Sequence, residues 1–228
     1  MPVVEVNWST IHLFGDAWFQ HHQLRKRVFI ERCKWALPES NDCEFDEYDT
    51  PDATYLLWLN DDGVVRGSVR LISTCRRYMA RDLWPDMFTA APPNNDLIWE
   101  ATRFCCDHTI PEEERRLCCL ELLEATQKFG LARGLDSYVG VMQVAMFRTC
   151  LARNGCTVSM LGPALQIEDR MTGASRIEVN AETLAKLRAN IHAWTAGVDD
   201  TKSLLQRGSF SIEPMTPKAE VQLQTLAA

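Results

Sequence analysis

The stretch Thr54 to Thr74 reads TYLLWLNDDGVVRGSVRLIST: two runs rich in apolar, β-branched and aromatic residues on either side of Asp61-Asp62-Gly63. That pattern predicts an antiparallel hairpin turning at the Asp-Gly step. On its N-terminal side, Asp16 to Arg32 carries Trp18, Phe19, Leu24, Val28 and Phe29 at mixed three- and four-residue spacings, with basic residues between them, and reads as a helix. Trp35 to Pro51 is acidic, contains Pro and Asn and keeps no period, so it reads as a long loop, and such loops in compact domains are usually functional. On the C-terminal side, Tyr78 to Phe88 reads as short helix or irregular chain, Ala90 to Asp96 as a Pro and Asn loop, and Ile98 to Cys105 as a strand. Pro111 and the acidic Glu112, Glu113 and Glu114 open a helix to about Phe129, closed by Gly130 or Gly134. Leu135 to Met142 reads as a strand and Val144 to Asn154 as a helix closed by Gly155. Thr157 to Val179 reads as further strands broken at Gly162-Pro163 and Gly173.

This order is that of a mixed sheet with helices on both faces, an α/β fold in one domain over residues 1–190. Residues 191–228 read as a polar, Pro-containing tail, partly helical or mobile. The composition, 46% hydrophobic and 24% charged in 228 residues, is ordinary for a globular chain. A net charge of -7 argues against a nucleic-acid binder, which needs a surplus of Lys and Arg on one face. The nine cysteines include the adjacent pairs Cys105-Cys106 and Cys118-Cys119 but no C-x-x-C spacing, so they read as reduced, mostly buried thiols, and no metal is expected. The first residues lack the basic flank and apolar run of a secretion signal, and no stretch approaches a membrane span. The expectation is a soluble protein of the bacterial cytoplasm.

Arg70 lies between Val69 and Leu71 on one expected strand, and Arg103 between Thr102 and Phe104 on another, so both guanidinium groups start from backbones near the core. Buried arginines need partners, since breaking a buried pair costs about 3–5 kcal/mol. Asp46, Asp49 and Glu100 are the candidates. Two readings stand side by side: a structural ion network holding the acidic loop to the sheet, above all through Asp49 and Arg70, and a binding site for a charged ligand. On a regular strand Glu100 and Arg103 would point to opposite faces. For both to reach one site, the strand needs a bulge or bend between Glu100 and Phe104.

Arg25, Phe29, Trp35, Asp46, Asp49, Arg70, Glu100 and Arg103 stand in the segments LRKRVFIERCKWALPESNDCEFDEYDTPDATYLLWL, GSVRLIST and LIWEATRF. In residue type, order and near spacing this set resembles the bacterial acyl-homoserine lactone synthases, or autoinducer synthases, and the resemblance runs from about Leu24 to about Ala181. It implies a three-layer α/β/α sandwich related to the N-acetyltransferase fold. It also implies S-adenosylmethionine as co-substrate, an acyl thioester on acyl carrier protein or coenzyme A as donor, and no prosthetic group. The amine of S-adenosylmethionine attacks the thioester, and its carboxylate displaces methylthioadenosine to close a lactone, so no enzyme nucleophile is needed. Glu100 is then the leading base, with Asp46 and Asp49 orienting or relaying and Arg70 completing the catalytic set.

The three charges of S-adenosylmethionine want three walls. Arg25 or Arg103 would fork onto the carboxylate, Asp46 would hold the amine, and Phe29 or Trp35 would face the sulfonium, with Phe104 beside them. Phe29 reads more readily as a core aromatic at helical spacing than as a ligand contact, while Trp35, in a polar loop, reads as a cap. Met79, Phe104, Leu122, Met142, Val144 and Met146, with Leu161, are the candidate acyl wall, and each also fits ordinary core. Family members that prefer 3-oxo chains often carry a Thr in the segment that here reads Val141 to Ala145, which has none, so an unsubstituted or otherwise unusual acyl group is expected. Arg76, Arg77, Arg81, Arg115, Arg116, Arg148 and Arg153 are the candidate basic patch for an acidic carrier. A generic acyl-coenzyme A N-acyltransferase is the first alternative, but CCDHTIPEEERR before and into the expected helix lacks the Gly-rich turn that presents amides to pyrophosphate. A non-catalytic ligand-binding domain is the second.

Overall fold

A computed structural model describes residues 3–197. In chain order its elements are β1 (Val3–Asn7), α1 (Gly15–Arg25), β2 (Glu39–Ser40), β3 (Cys43–Glu44), β4 (Thr54–Leu59), β5 (Val65–Ser73), α2 (Met79–Leu83), β6 (Ile98–Cys106), α3 (Glu112–Ala132), β7 (Ser137–Gln143), α4 (Val144–Met146), β8 (Val158–Met160), β9 (Leu165–Ile167), β10 (Arg170–Glu178) and α5 (Ala181–Thr195). The hairpin expected from TYLLWLNDDGVVRGSVRLIST is β4–β5, with Gly63 at φ 75 in its turn. One eight-stranded sheet runs β1-β4-β5-β6-β7-β10-β8, with β9 also paired to β10. Among the described residues only β6 and β7 run parallel, and α3 makes the crossover that a parallel pair needs.

Alternate residues of β4 and β5 face opposite sides of the sheet, so TYLLWL is apolar on both faces because both are covered. Tyr55, Leu57 and Ile72 pack with Leu24, Val28 and Phe29 under α1. Leu56, Trp58, Val69 and Leu71 pack with Leu122, Phe129 and Leu187 of α3 and α5. The result is the expected three-layer α/β/α sandwich. Among the described residues no helix is long and apolar enough to cross a membrane.

Several details differ from the sequence reading. β1 was not foreseen; it pairs with β4 in full register from Val3↔Trp58 to Asn7↔Thr54. α3 runs through Gly130 and turns off at Gly134, at φ 67. Gly130 is there for closeness: a Cβ would sit 2.8 Å from Tyr138 Oη and 2.9 Å from both methyls of Val179. The segment after β7 is not one regular helix; the single turn of α4 gives way to wider winding over Phe147–Leu151 and a tight turn over Ala152–Asn154. Gly173 does not break a strand but lies within β10. α5 continues through position 190, where the sequence reading ended the domain, and the rest of the expected tail, 198–228, lies outside the described residues.

Candidate active site

The first wall of the site is a helix end. Beyond Arg25 the helix continues with wider winding over Lys26–Arg32, and the Cys33 N–H reaches back to the Val28 carbonyl at 3.0 Å. Lys34 then adopts φ 62, and the Trp35 N–H donates to the Phe29 carbonyl at 3.0 Å. This is a Schellman-type closure, widened by the extra residue per turn, and such closures are commonly sealed by an apolar contact across them. Here that contact is the stack of Phe29 on Trp35, with ring centroids 5.1 Å apart and planes at 10°. Phe29 is buried, and Trp35 is 37% exposed over it.

The acidic loop supplies the second wall. Asn41 and Asp42, at φ 51 and 64, let β2 fold back on β3, which carries Glu44 under α1. His22 Nδ1 donates to the Glu44 carbonyl at 2.8 Å. The chain then wraps around its own carboxylates: the Tyr48 N–H donates to Asp46 Oδ1 at 2.9 Å, and the Asp46 N–H to Asp49 Oδ2 at 2.9 Å.

The third wall is β6, and it is bulged where the parity argument requires. Ser68 pairs with Cys105 and Arg70 with Thr102, so Arg103 and Phe104 together oppose Val69. Arg103 takes φ 53, the left-handed turn of a bulge. Arg103 thereby joins Glu100, Thr102 and Arg70 on the α1 side, while Phe104 is sent to the α3 side.

Three guanidinium groups meet three carboxylates in this space. Arg25 Nε donates to Glu44, while its Nη1 and Nη2 fork onto the two oxygens of Asp49 at 2.7 and 2.8 Å. Arg70 donates from Nη1 to Asp46 Oδ1 at 2.5 Å and to Asp49 Oδ1 at 2.9 Å, and from Nε to Thr102 Oγ1 at 3.2 Å. Arg103 Nη2 lies 3.0 Å from Glu44 Oε1 and 2.7 Å from Asp46 Oδ2. Tyr55 closes the set by donating its hydroxyl to Asp49 Oδ1 at 2.7 Å. Arg25, Arg70 and Glu44 are fully buried, so the balance of three positive against three negative groups is what makes the cluster tolerable. Burial works against ionisation of Asp49, yet the hydrogen bonds and charge of Arg25, with the charge of Arg70, hold its carboxyl well below the usual carboxylate range.

Glu100 stands outside that balance. Its fully buried carboxylate accepts from the Met79 N–H at 3.1 Å and the Ala80 N–H at 2.6 Å, at the start of α2. Burial pushes its carboxyl up to about 7, against the pull of those two amides and of Arg70 toward the ionised form. A carboxyl held near neutrality beside an ion cluster is the arrangement of a general base.

The structure therefore brings together Arg25, Phe29, Trp35, Asp46, Asp49, Arg70, Glu100, Arg103 and Met79, whose sulfur lies 3.4 Å from Arg103 Nη1. Phe104, Leu122, Met142 and Val144 are not with them but in the apolar cluster under α3, and Met146 is 39% exposed. Glu44 is the residue the sequence reading missed. In CEFDEYD it is one of four acidic residues, and only the fold separates it, fully buried, from Glu47, whose side chain is 53% exposed and paired with Arg77. In the expected basic patch, Arg76, Arg77 and Arg81 are already paired with Asp52, Glu47 and Asp82. Two surface grooves lie away from this cluster, one of about 520 Å³ between β1, α3 and α5 and one of about 350 Å³ at the start of α1.

Comparison with known proteins follows this geometry. The family model of autoinducer synthases matches residues 15–187. An acyl-homoserine-lactone synthase of Pseudomonas chlororaphis is 30% identical over 167 residues, 72% of this chain and 79% of that one. An isovaleryl-homoserine lactone synthase of Bradyrhizobium diazoefficiens is 29% identical over 182 residues, 79% of this chain and 81% of that one. Among solved structures, the coenzyme A-dependent acyl-homoserine lactone synthase BjaI, with SAM and isopentyl-CoA, superposes with a TM-score of 0.75 at 28% identity, covering 84% of this chain and 89% of its own. The N-acyl amino acid synthase FeeM, at 15% identity and a TM-score of 0.51, shares the fold.

Proposed function

The chain belongs to the autoinducer synthase family, and from that premise we infer that it condenses S-adenosylmethionine with an acyl thioester to give an N-acyl-L-homoserine lactone and methylthioadenosine. The observation that carries the reading is Glu100, a buried carboxyl held at about 7 beside a charge-balanced cluster. An α-amine has a pKa near ~8, so a base of this strength, acting directly or through water, supplies the neutral amine that attacks the thioester. The substrate carboxylate then closes on the γ carbon, the carbon–sulfur bond breaks, and methylthioadenosine leaves with the electron pair.

Each of the three nitrogens of Arg25 already donates to Glu44 or Asp49, so its part is to hold the loop. Among the described residues Arg103 keeps Nη1 against the Met79 sulfur alone, which leaves a strong donor for the substrate carboxylate. Asp46, whose side chain is 10% exposed, faces the amine, with Asp49 and Arg70 fixing its orientation. The Phe29–Trp35 stack, beside Arg103, faces the sulfonium. Backbone amides of the bulge polarise the thioester carbonyl.

The ladder between β6 and β7 stops at Glu100↔Val139 although both strands run on. An acyl chain starting at Glu100 passes there to Phe104, Met142, Val144 and Leu122, with Met79 on the near side and Met146 at the rim. The absence of a Thr in Val141 to Ala145 favours an unsubstituted or otherwise unusual acyl group over a 3-oxo chain. The donor is an acyl group on coenzyme A or acyl carrier protein, and the site of action is the bacterial cytoplasm. Incubating the full chain with S-adenosylmethionine and each donor in turn tests this by mass spectrometry. Lactone and methylthioadenosine are expected in equal amounts. An acyl-amide without methylthioadenosine would mean a plain N-acyltransferase, and binding without turnover a ligand-binding domain.

A further inference from the structure

On the other side of the sheet, thiols gather where no step above uses them. Cys119 of α3 and Cys150 of the widely wound segment Phe147–Leu151 bring their sulfurs to 3.8 Å. Both are partly exposed, and Cys106 at the end of β6 lies beside Cys119. The neighbouring Cys118 is buried and turned to the Arg66 carbonyl at 3.7 Å. Hydrogen bonds from Cys106 and Cys150, with the charge of Arg116 one turn back on α3, hold the Cys119 thiol well below its ordinary pKa, while Cys119 and burial hold Cys150 above. The pair thus contains one thiol disposed to ionise and a second within reach of it.

We propose that Cys119 and Cys150 form a peroxide-reactive dithiol site that closes to a disulfide between α3 and the segment following α4. The Cys119 thiolate attacks one peroxide oxygen; the O–O bond breaks, a sulfenic acid forms, and the departing hydroxide takes the thiol proton as water. Cys150 sulfur then attacks the sulfenic sulfur; the S–S bond forms, the S–O bond breaks, and a second water leaves with the Cys150 proton. Two thiols are oxidised and one peroxide is reduced. The sulfurs must close from 3.8 Å to a bond of about 2.05 Å, and Cys150 stands in irregular winding, which shifts more readily than a strand or a regular helix. The inference is independent of the reaction proposed above.

The test treats the reduced full-length protein with hydrogen peroxide, alkylates the remaining thiols and maps tryptic peptides without reductant. The expected product joins the peptide from Leu117 to Lys128 with that from Thr149 to Arg153, and dithiothreitol separates them. The link is lost in Cys119→Ser and in Cys150→Ser and kept in Cys118→Ser, which distinguishes the two cysteines of the first peptide. The wild-type map reads the link even where a variant does not fold. Persistence of the link in Cys119→Ser, a link to the peptide carrying Cys105 and Cys106, or no link while the exposed Cys33 and Cys75 oxidise would each overturn the proposal.

Discussion

The two faces of the central sheet are built from the same strands and differ in kind. Under α1 the interior sets Arg25, Glu44, Arg70, Glu100 and Arg103 with His21 and His22, all buried, among apolar side chains such as Leu24, Val28, Tyr55 and Leu57. Under α3 and α5 it holds leucines, aromatics and thiols. The second face is stable by burial alone, at roughly 25 cal/mol per Å² of apolar surface. The first is tolerated only because every guanidinium finds a carboxylate, and apolar side chains there would commonly be as stable or more so. The contrast can be tested by removing one group at a time.

The largest effect is expected on turnover, from Glu100→Gln. The side chain keeps its shape and loses its proton-accepting form, so lactone formation should fall about 10²- to 10⁴-fold while circular dichroism stays that of the wild type. Unchanged turnover would place the base elsewhere. Next is stability. Arg25→Ala leaves Arg70 and Arg103 alone against Glu44, Asp46 and Asp49, one buried negative charge in excess, and should destabilise by about 3–5 kcal/mol in denaturant titration. Leu122→Ala on the other face leaves only a cavity, for about 2–5 kcal/mol. The comparison sharpens in salt and acid, because only the Arg25 variant should regain stability as its excess buried negative charge is screened or protonated.

A smaller effect separates Glu100 from the rest of its face by pH. Its folded pKa, about 7, lies above the unfolded value, so the folded state holds the extra proton between them. Its contribution to stability is fully present below the unfolded pKa and is lost as pH rises through about 7. Asp49, depressed, contributes in the opposite sense: its share is present above the unfolded pKa and lost in acid. Turnover should rise through about 7 as Glu100 ionises, and Glu100→Gln should flatten that limb. A wild-type profile level across neutrality would contradict the assignment. The smallest effect is at the cap: Trp35→Ala removes a half-open stack worth about 0.5–1.5 kcal/mol and should raise KM for S-adenosylmethionine more than it lowers kcat.

Much of this was legible in the chain. The hairpin around Gly63 and the bulge needed if Glu100 and Arg103 share one face follow from period, parity and residue type, while the convergence of the charged set was implied by the family resemblance. Other features were not. β1 is five residues long and carries Glu5 and Asn7, too short a pattern to announce itself. Glu44 looks like its acidic neighbours until a hairpin buries it. Phe104 could be assigned to either face until the bulge sent it to the α3 side.

Local chemistry, carried by neighbours along the chain, determined most of the longer elements and the turn at Asp62-Gly63. Only the tertiary structure decided which carboxylate meets which arginine and which one stays outside the balance, because a buried charge is set by partners tens of residues away. Arg103 and Glu44, 59 residues apart, are one contact only after the sheet has closed.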